Sequence, residues 1–70
     1  MDRIKLFRIA LAHRDIPMKE FARQNGVTLG LIHNVLKGTT TSKRMSAIID
    51  QFIEAAMNDL RIELAARKAA

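Results

Sequence analysis

The chain has 70 residues, no cysteine, one proline and a formal net charge of +5. That length holds one domain with a small core, near the limit at which a chain needs a staple or a partner, and without cysteine the staple cannot be a disulfide. His13 and His33 lie far apart with no ligand-like spacing, so no metal site or cofactor is expected, and no stretch approaches the ~20 apolar residues that span a bilayer.

The N-terminal stretch is apolar but broken by Arg3, Lys5 and Arg8, so neither export nor membrane insertion is expected and the chain is placed in the cytoplasm. The same stretch predicts a first helix over about Arg3 to His13. Asp2 is its cap, and Ile4, Phe7 and Leu11 at i, i+3 and i+7 are its inner stripe, widened by Leu6, Ile9 and Ala10.

Residues 17–38, PMKEFARQNGVTLGLIHNVLKG, predict two short helices joined by a tight turn, over about Pro17 to Asn25 and Leu29 to Lys37. Proline suits a first helical turn. Ala22 sits where the two helices come closest and a larger side chain would hold them apart. Gly26 follows Asn25 at the helix end, where the backbone turns through positive φ. Val27 points back into the junction, Thr28 offers a capping hydroxyl, and Ile32 and Val35 recur at helical spacing, so that Phe21, Ala22, Val27, Ile32 and Val35 make one small core.

With Ala22, Gly26, Val27, Ile32, Val35 and the closing Gly38 in register, the segment resembles the lambda-repressor-like helix-turn-helix family of phage Cro and repressor proteins and their bacterial relatives. The resemblance covers about a third of the chain directly, and more with the flanking helices. Pro17 and Met18 depart from it, standing where that family often has a capping hydroxyl and a glutamine that touches phosphate. The resemblance implies a DNA reader whose third helix lies in the major groove. Its residues not used for packing, Thr28, Leu29, Gly30, His33, Asn34 and Lys37, are then the candidates for base contact. Asn34 is the best reader, because a carboxamide accepts from and donates to adenine at once. Lys37 suits guanine or a phosphate; His33 either donates to the DNA or stays solvated; Leu29 touches a thymine methyl or packs on Leu31 or another subunit. Gly30 weakens the helix, and close approach of backbone to DNA would account for it.

A polar hinge, Thr39, Thr40, Thr41 and Ser42, follows and is expected to be exposed. Lys43 and Arg44 come next, at a helix start where the macrodipole disfavours positive charge. An anion nearby would explain them, so the hinge hydroxyls with Lys43 and Arg44 form a candidate phosphate site. Arg14, Lys19 and Arg23 are secondary phosphate candidates, chosen on charge near the motif. Residues 1–44 carry nine lysines and arginines against three acids, and residues 45–70 carry three against four. The basic excess therefore belongs to the part that holds the motif.

The fourth helix is expected from Lys43 to about Arg67, ~37 Å at ~1.5 Å per residue, longer than a small domain covers with its own core. Met45, Ile48, Ile49 and Phe52 are assigned to the core. Ile53, Ala56, Met57, Leu60 and Leu64 are assigned to a partner helix, most simply that of a second copy, unless the alanine-rich end frays beyond Leu60. The chain thus divides into a helix-turn-helix domain, residues 1–52, and a dimerising extension, residues 53–70.

No paired carboxylates, nucleophile motif or phosphate loop supports an enzyme; His13 and Asp15 read as local capping at a helix end. The expectation is an all-α bundle of about four helices with a long last one. The resemblance implies a phage or bacterial transcriptional regulator, a repressor that binds double-stranded DNA as a homodimer and occludes a promoter. Two alternatives stay open. One is a protein-interaction module, antitoxin-like or an adaptor, that grips a partner protein with the fourth helix. The other is non-specific coating of nucleic acid, with charge dependence but no base readout.

Overall fold

Three of the four helices begin on a side-chain cap that the sequence supplies. The computed structural model describes residues 2–69, so positions 1 and 70 of the two expected segments lie outside the described residues. The helices are α1 (Arg3–Arg14), α2 (Met18–Gln24), α3 (Leu29–Lys37) and α4 (Lys43–Ala69), with no strand among the described residues. The caps of α1, α3 and α4 are Asp2, Thr28 and Ser42, whose oxygens accept from the amides of Lys5 (2.9 Å), Leu31 (3.1 Å) and Met45 (3.2 Å). Pro17 stands at the N-cap of α2 rather than inside it and makes no side-chain cap, so α2 is shorter than expected at both ends.

The first three helices end alike. In α1 the amides of Asp15 and Ile16 bond back to the carbonyls of Ala12 and Leu11; in α2 those of Gly26 and Val27 bond to Arg23 and Ala22; in α3 those of Gly38 and Thr39 bond to Val35 and Asn34. This is the Schellman arrangement, in which the residue after the helix turns left-handed and the next one folds back. Gly26 and Gly38 take that conformation freely, at φ 66° and 81°, and at neither would a Cβ meet another atom within 4 Å. The dihedral, not space, calls for glycine at both. At the end of α1 the same position is held by Asp15, at φ 56°.

α1 and α4 run side by side in the same direction. Near their starts, Arg3 donates to the Asp50 carboxylate at 2.9 Å and to the Ser46 carbonyl and hydroxyl at 2.9 and 2.7 Å. Near the end of α1, Arg14 lies 2.6 Å and His13 3.9 Å from the Asp59 carboxylate. Between these two ends the three phenylalanines of the chain meet. Phe7 of α1 stands edge-on to Phe21 of α2 and to Phe52 of α4, with ring centroids 5.0 and 5.9 Å apart, and Phe21 and Phe52 lie 4.9 Å apart. Ile32 of α3 and Ile49 of α4 are fully buried in the same core. Burying each such side chain contributes about 1.5–3 kcal/mol.

Two expectations are corrected by this packing. Ile9, assigned to the inner stripe of α1, faces outward and is 39% exposed, because at roughly 100° per residue it lies about 200° from Phe7. Ile53 and Ala56, assigned to a partner helix, are buried within this chain, Ala56 completely. The parallel course of α1 carries it along α4 as far as Asp59. The packed part of α4 therefore extends past residue 52, through Ala56 and Met57, and the division of the chain at residues 52 and 53 falls inside the core.

Past Leu60 α4 runs clear of the core. The helix continues to Ala69, and every residue from 61 to 68 is exposed. The molecule accordingly measures 44 × 21 × 17 Å, its long dimension close to the ~40 Å of a 27-residue helix. Leu60 is half-buried; Ile62 and Leu64 stand largely in solvent.

Asp15 identifies a site where the fold can be improved. A non-glycine residue in the left-handed region is strained, and a carboxylate at a helix C-terminus opposes the macrodipole. Asp15→Gly is expected to raise the unfolding free energy by about 0.5–1 kcal/mol, read as a higher urea midpoint at unchanged slope. A lower midpoint would show that Asp15 makes a stabilising contact that outweighs its dihedral strain.

Candidate nucleic-acid interface

The turn between α2 and α3 fixes the direction of α3. Ala22, 4% exposed, sits at the crossing, Val27 packs beneath it, and the Asn25 amide side chain donates to the Phe21 carbonyl at 2.9 Å. The small core expected from Phe21, Ala22, Val27, Ile32 and Val35 is present, with Val27 half-buried and the rest buried. With Ile32, Val35 and Leu36 held inside, the opposite face of α3 is turned outward. At roughly 100° per residue that face is centred on Gly30, His33, Asn34 and Lys37. Gly30, Asn34 and Lys37 are exposed and His33 is half-buried.

Thr28 and Leu29 sit at the tip of this face. The Thr28 hydroxyl oxygen is occupied by the Leu31 amide, which leaves its O–H free to donate. Leu29 is 39% exposed, while Leu31 is half-buried against the core.

The hinge is more tightly bonded than its composition suggests. The Asn34 carbonyl accepts from the Thr39 amide (3.0 Å), the Thr40 amide (3.3 Å) and the Thr39 hydroxyl (3.2 Å). The Thr39 hydroxyl proton is thus directed to an acceptor inside the chain. The same bonds leave the Asn34 side chain outside, attached to a backbone that the hinge holds still. Thr40 and Thr41 are exposed; Ser42 is half-buried as the cap of α4 and, like Thr28, keeps its O–H. Lys43 and Arg44 occupy the first turn of α4, where backbone amides have no partner within the helix, and no acidic residue shares that turn. A shallow groove of about 440 Å³ runs beside Lys43, lined also by Val35, Gly38, Thr40, Thr41 and Ser46, with Asp50 at one edge already engaged by Arg3.

The remaining basic candidates divide into paired and unpaired. Arg14 pairs with Asp59 across the α1–α4 seam, so its charge is compensated within the chain. Arg23 forks onto Glu20 one turn earlier, with Nε 2.8 Å from Oε2. The hydrogen bonds that Arg23 donates hold the Glu20 carboxyl below its usual range, and the same bonds raise the Arg23 guanidinium. The pair is solvent-facing, and such pairs add little stability. Among the described residues no carboxylate pairs with Lys19, Lys37, Lys43 or Arg44.

No family model, curated protein or solved structure matches the chain. Its functional reading rests on its own residues and their geometry. Among the described residues no cluster of three or more histidine, cysteine or acidic side chains could hold a metal, and no helix is long and apolar enough to cross a membrane.

Two features escape a sequence reading. Asp59 is the partner of His13 and Arg14, more than forty positions away, and nothing local announces the pairing. Ile62, 60% exposed, lies about 200° around α4 from Leu60, off the stripe that periodicity picks out.

Thr28 carries a structural and a contact assignment that can be separated. As the cap of α3, its loss in Thr28→Ala is expected to lower stability by about 1 kcal/mol in urea unfolding, without any ligand present. An unchanged midpoint would leave contact as its sole role.

Proposed function

We propose that this chain is a sequence-specific reader of double-stranded DNA, a cytoplasmic transcriptional regulator of the lambda-repressor-like kind that acts as a repressor by occluding a promoter. The observation that carries this reading is the outward face of α3. It is rigidly seated on one side and bears Asn34 and Lys37 on the other, with the unpaired cations of Lys43 and Arg44 beyond the hinge. A helix so presented fits the major groove, where Asn34 has the geometry to pair with an adenine edge. Lys19, Lys43 and Arg44, together with the O–H groups of Thr40, Thr41 and Ser42, would fix the register on the backbone; phosphate contacts position and base contacts specify. Repression by occlusion needs no catalytic group and no second domain.

In this reading the active species is a homodimer. The overhang of α4 offers Leu60 and Leu64, one turn apart, the first half-buried and the second in solvent, and Met57, half-buried at the edge of the core, continues their stripe. Joining two copies there would present two α3 helices to half-sites about one DNA turn, ~34 Å, apart. The exposure of Ile62 and Leu64 also favours a second reading, in which the overhang grips a different protein and the chain is an adaptor or antitoxin-like module.

Base readout is tested by selecting bound duplexes from a random pool and then comparing affinities for the enriched sequence and for random DNA. Asn34→Ala is expected to cost ~1–3 kcal/mol on the enriched sequence and little on random DNA. Equal losses on both would reduce the protein to a charge-driven binder.

Leu64→Asp tests the dimer without touching the core, since Leu64 is 56% exposed. Sedimentation is expected to show a lower mass at a given concentration, with a parallel loss of affinity for the two-fold site and unchanged thermal unfolding at high dilution. An unchanged mass would remove the overhang from self-association and leave it to another partner.

A further inference from the structure

Gly30 is a glycine that the chain itself does not use. It lies in the first turn of α3 with helical backbone and no positive φ. A Cβ built there would meet only the Thr28 hydroxyl oxygen, at 3.9 Å, an ordinary contact distance. Gly26 and Gly38 are required by their dihedrals; Gly30 is required by neither dihedral nor packing, and alanine in its place would make a better helix. Its neighbour Leu29 is the one large apolar side chain between α2 and the hinge that is exposed, at 39%. The two adjoin at the N-terminal tip of the outward face, and Asn34 lies one turn further along it.

We propose that Leu29 and Gly30 form an apolar step, bare of side chain at Gly30, that seats the C5-methyl group of a thymine in the major groove and so specifies a T·A pair beside the base read by Asn34. This rests on the DNA-reading function and names part of what is read. The thymine methyl is the one apolar group that base edges present in the major groove. A protein partner would meet an apolar spot of one side chain on a face that also carries His33, Asn34 and Lys37, with Lys43 and Arg44, which no described carboxylate pairs, beyond. That surround matches a polyanion better than an apolar surface. The missing Cβ lets the helix backbone descend to contact distance with the base edge, and Leu29 then covers the methyl from one side.

The test uses the full chain and the duplex it enriches from a random pool. Each thymine of that duplex is replaced in turn by deoxyuridine, which removes only the methyl group, and affinities are measured for the unaltered protein, Leu29→Ala and Gly30→Ala. One position is expected at which deoxyuridine weakens the unaltered protein about fourfold, the equivalent of ~0.8 kcal/mol for one buried methyl. At that position Leu29→Ala should be indifferent to the change. Gly30→Ala should melt at the same or a higher temperature yet bind the enriched duplex at least about fivefold more weakly, as forced overpacking of a close contact requires. If a sequence is enriched but no thymine responds, or Leu29→Ala responds as the unaltered protein does, or Gly30→Ala binds normally, the methyl contact is overturned while DNA reading stands. If no sequence is enriched, the DNA-reading function itself falls and this contact falls with it.

Discussion

Everything in this small protein hangs on the meeting of Phe7, Phe21 and Phe52, the only aromatic residues it has. One ring comes from each of α1, α2 and α4, so the cluster fixes three helices at one point. α3 joins the same core through Ile32. A 70-residue domain has a net stability of roughly 4–10 kcal/mol, and truncating one buried phenylalanine costs about 3–5 kcal/mol. No other part of the chain could absorb that loss. The ion pairs at the two ends of the α1–α4 contact are partly exposed and contribute less individually; their effect is to set the register in which the rings meet.

The local devices of the fold were legible in the sequence because each depends on residues a few positions apart. Asp2 and Thr28 cap their helices, Gly26 and Gly38 turn left-handed, and α3 has the predicted bounds. What could not be read is what depends on the course of one helix past another. Ile53 and Ala56 carry the same apolar signal whether they face α1 or a second copy, and periodicity says only that something covers them. Their burial follows from α1 running parallel to α4 as far as Asp59. The partner of Arg14 was hidden for a related reason: nothing near it in the sequence announces the distant Asp59 carboxylate. Asp15 does cap the end of α1, as an aspartate at a helix end suggests, but it does so through its backbone amide and in a left-handed conformation that suits glycine, which its side chain does not announce.

The candidate interface combines a rigid part with a part whose charge has no internal use. Asn34 links them. Its carbonyl gathers the hinge through Thr39 and Thr40, and the hinge ends at Ser42, which caps α4 and so fixes where Lys43 and Arg44 begin. A polar segment of four residues would otherwise be free to move, and each ordered residue costs backbone entropy of about 1–2 kcal/mol. Because the bonds to Asn34 and the Ser42 cap are made on folding, that cost is met before any ligand arrives. Preorganisation of this kind raises affinity without adding contacts.

The overhang of α4 sets a limit on how such a protein could assemble. From Leu60 to Ala69 it is about 15 Å long. A helix of that length and ~10 Å width covers far less than the ~800 Å² per partner of a standard stable interface. If two copies join there, the pairing is weak in isolation and depends on concentration. On a two-fold DNA site the first bound copy would hold the second at high effective concentration, so that two modest interactions, copy to copy and copy to half-site, reinforce each other. Assembly and sequence reading would then be linked. Occupancy would rise steeply with protein concentration, and half-site spacing would matter as much as half-site sequence. The exposed Ile62 and Leu64 fit this logic better than a tight dimer would, because a permanent interface would be expected to extend further along α4, into the region that α1 already covers.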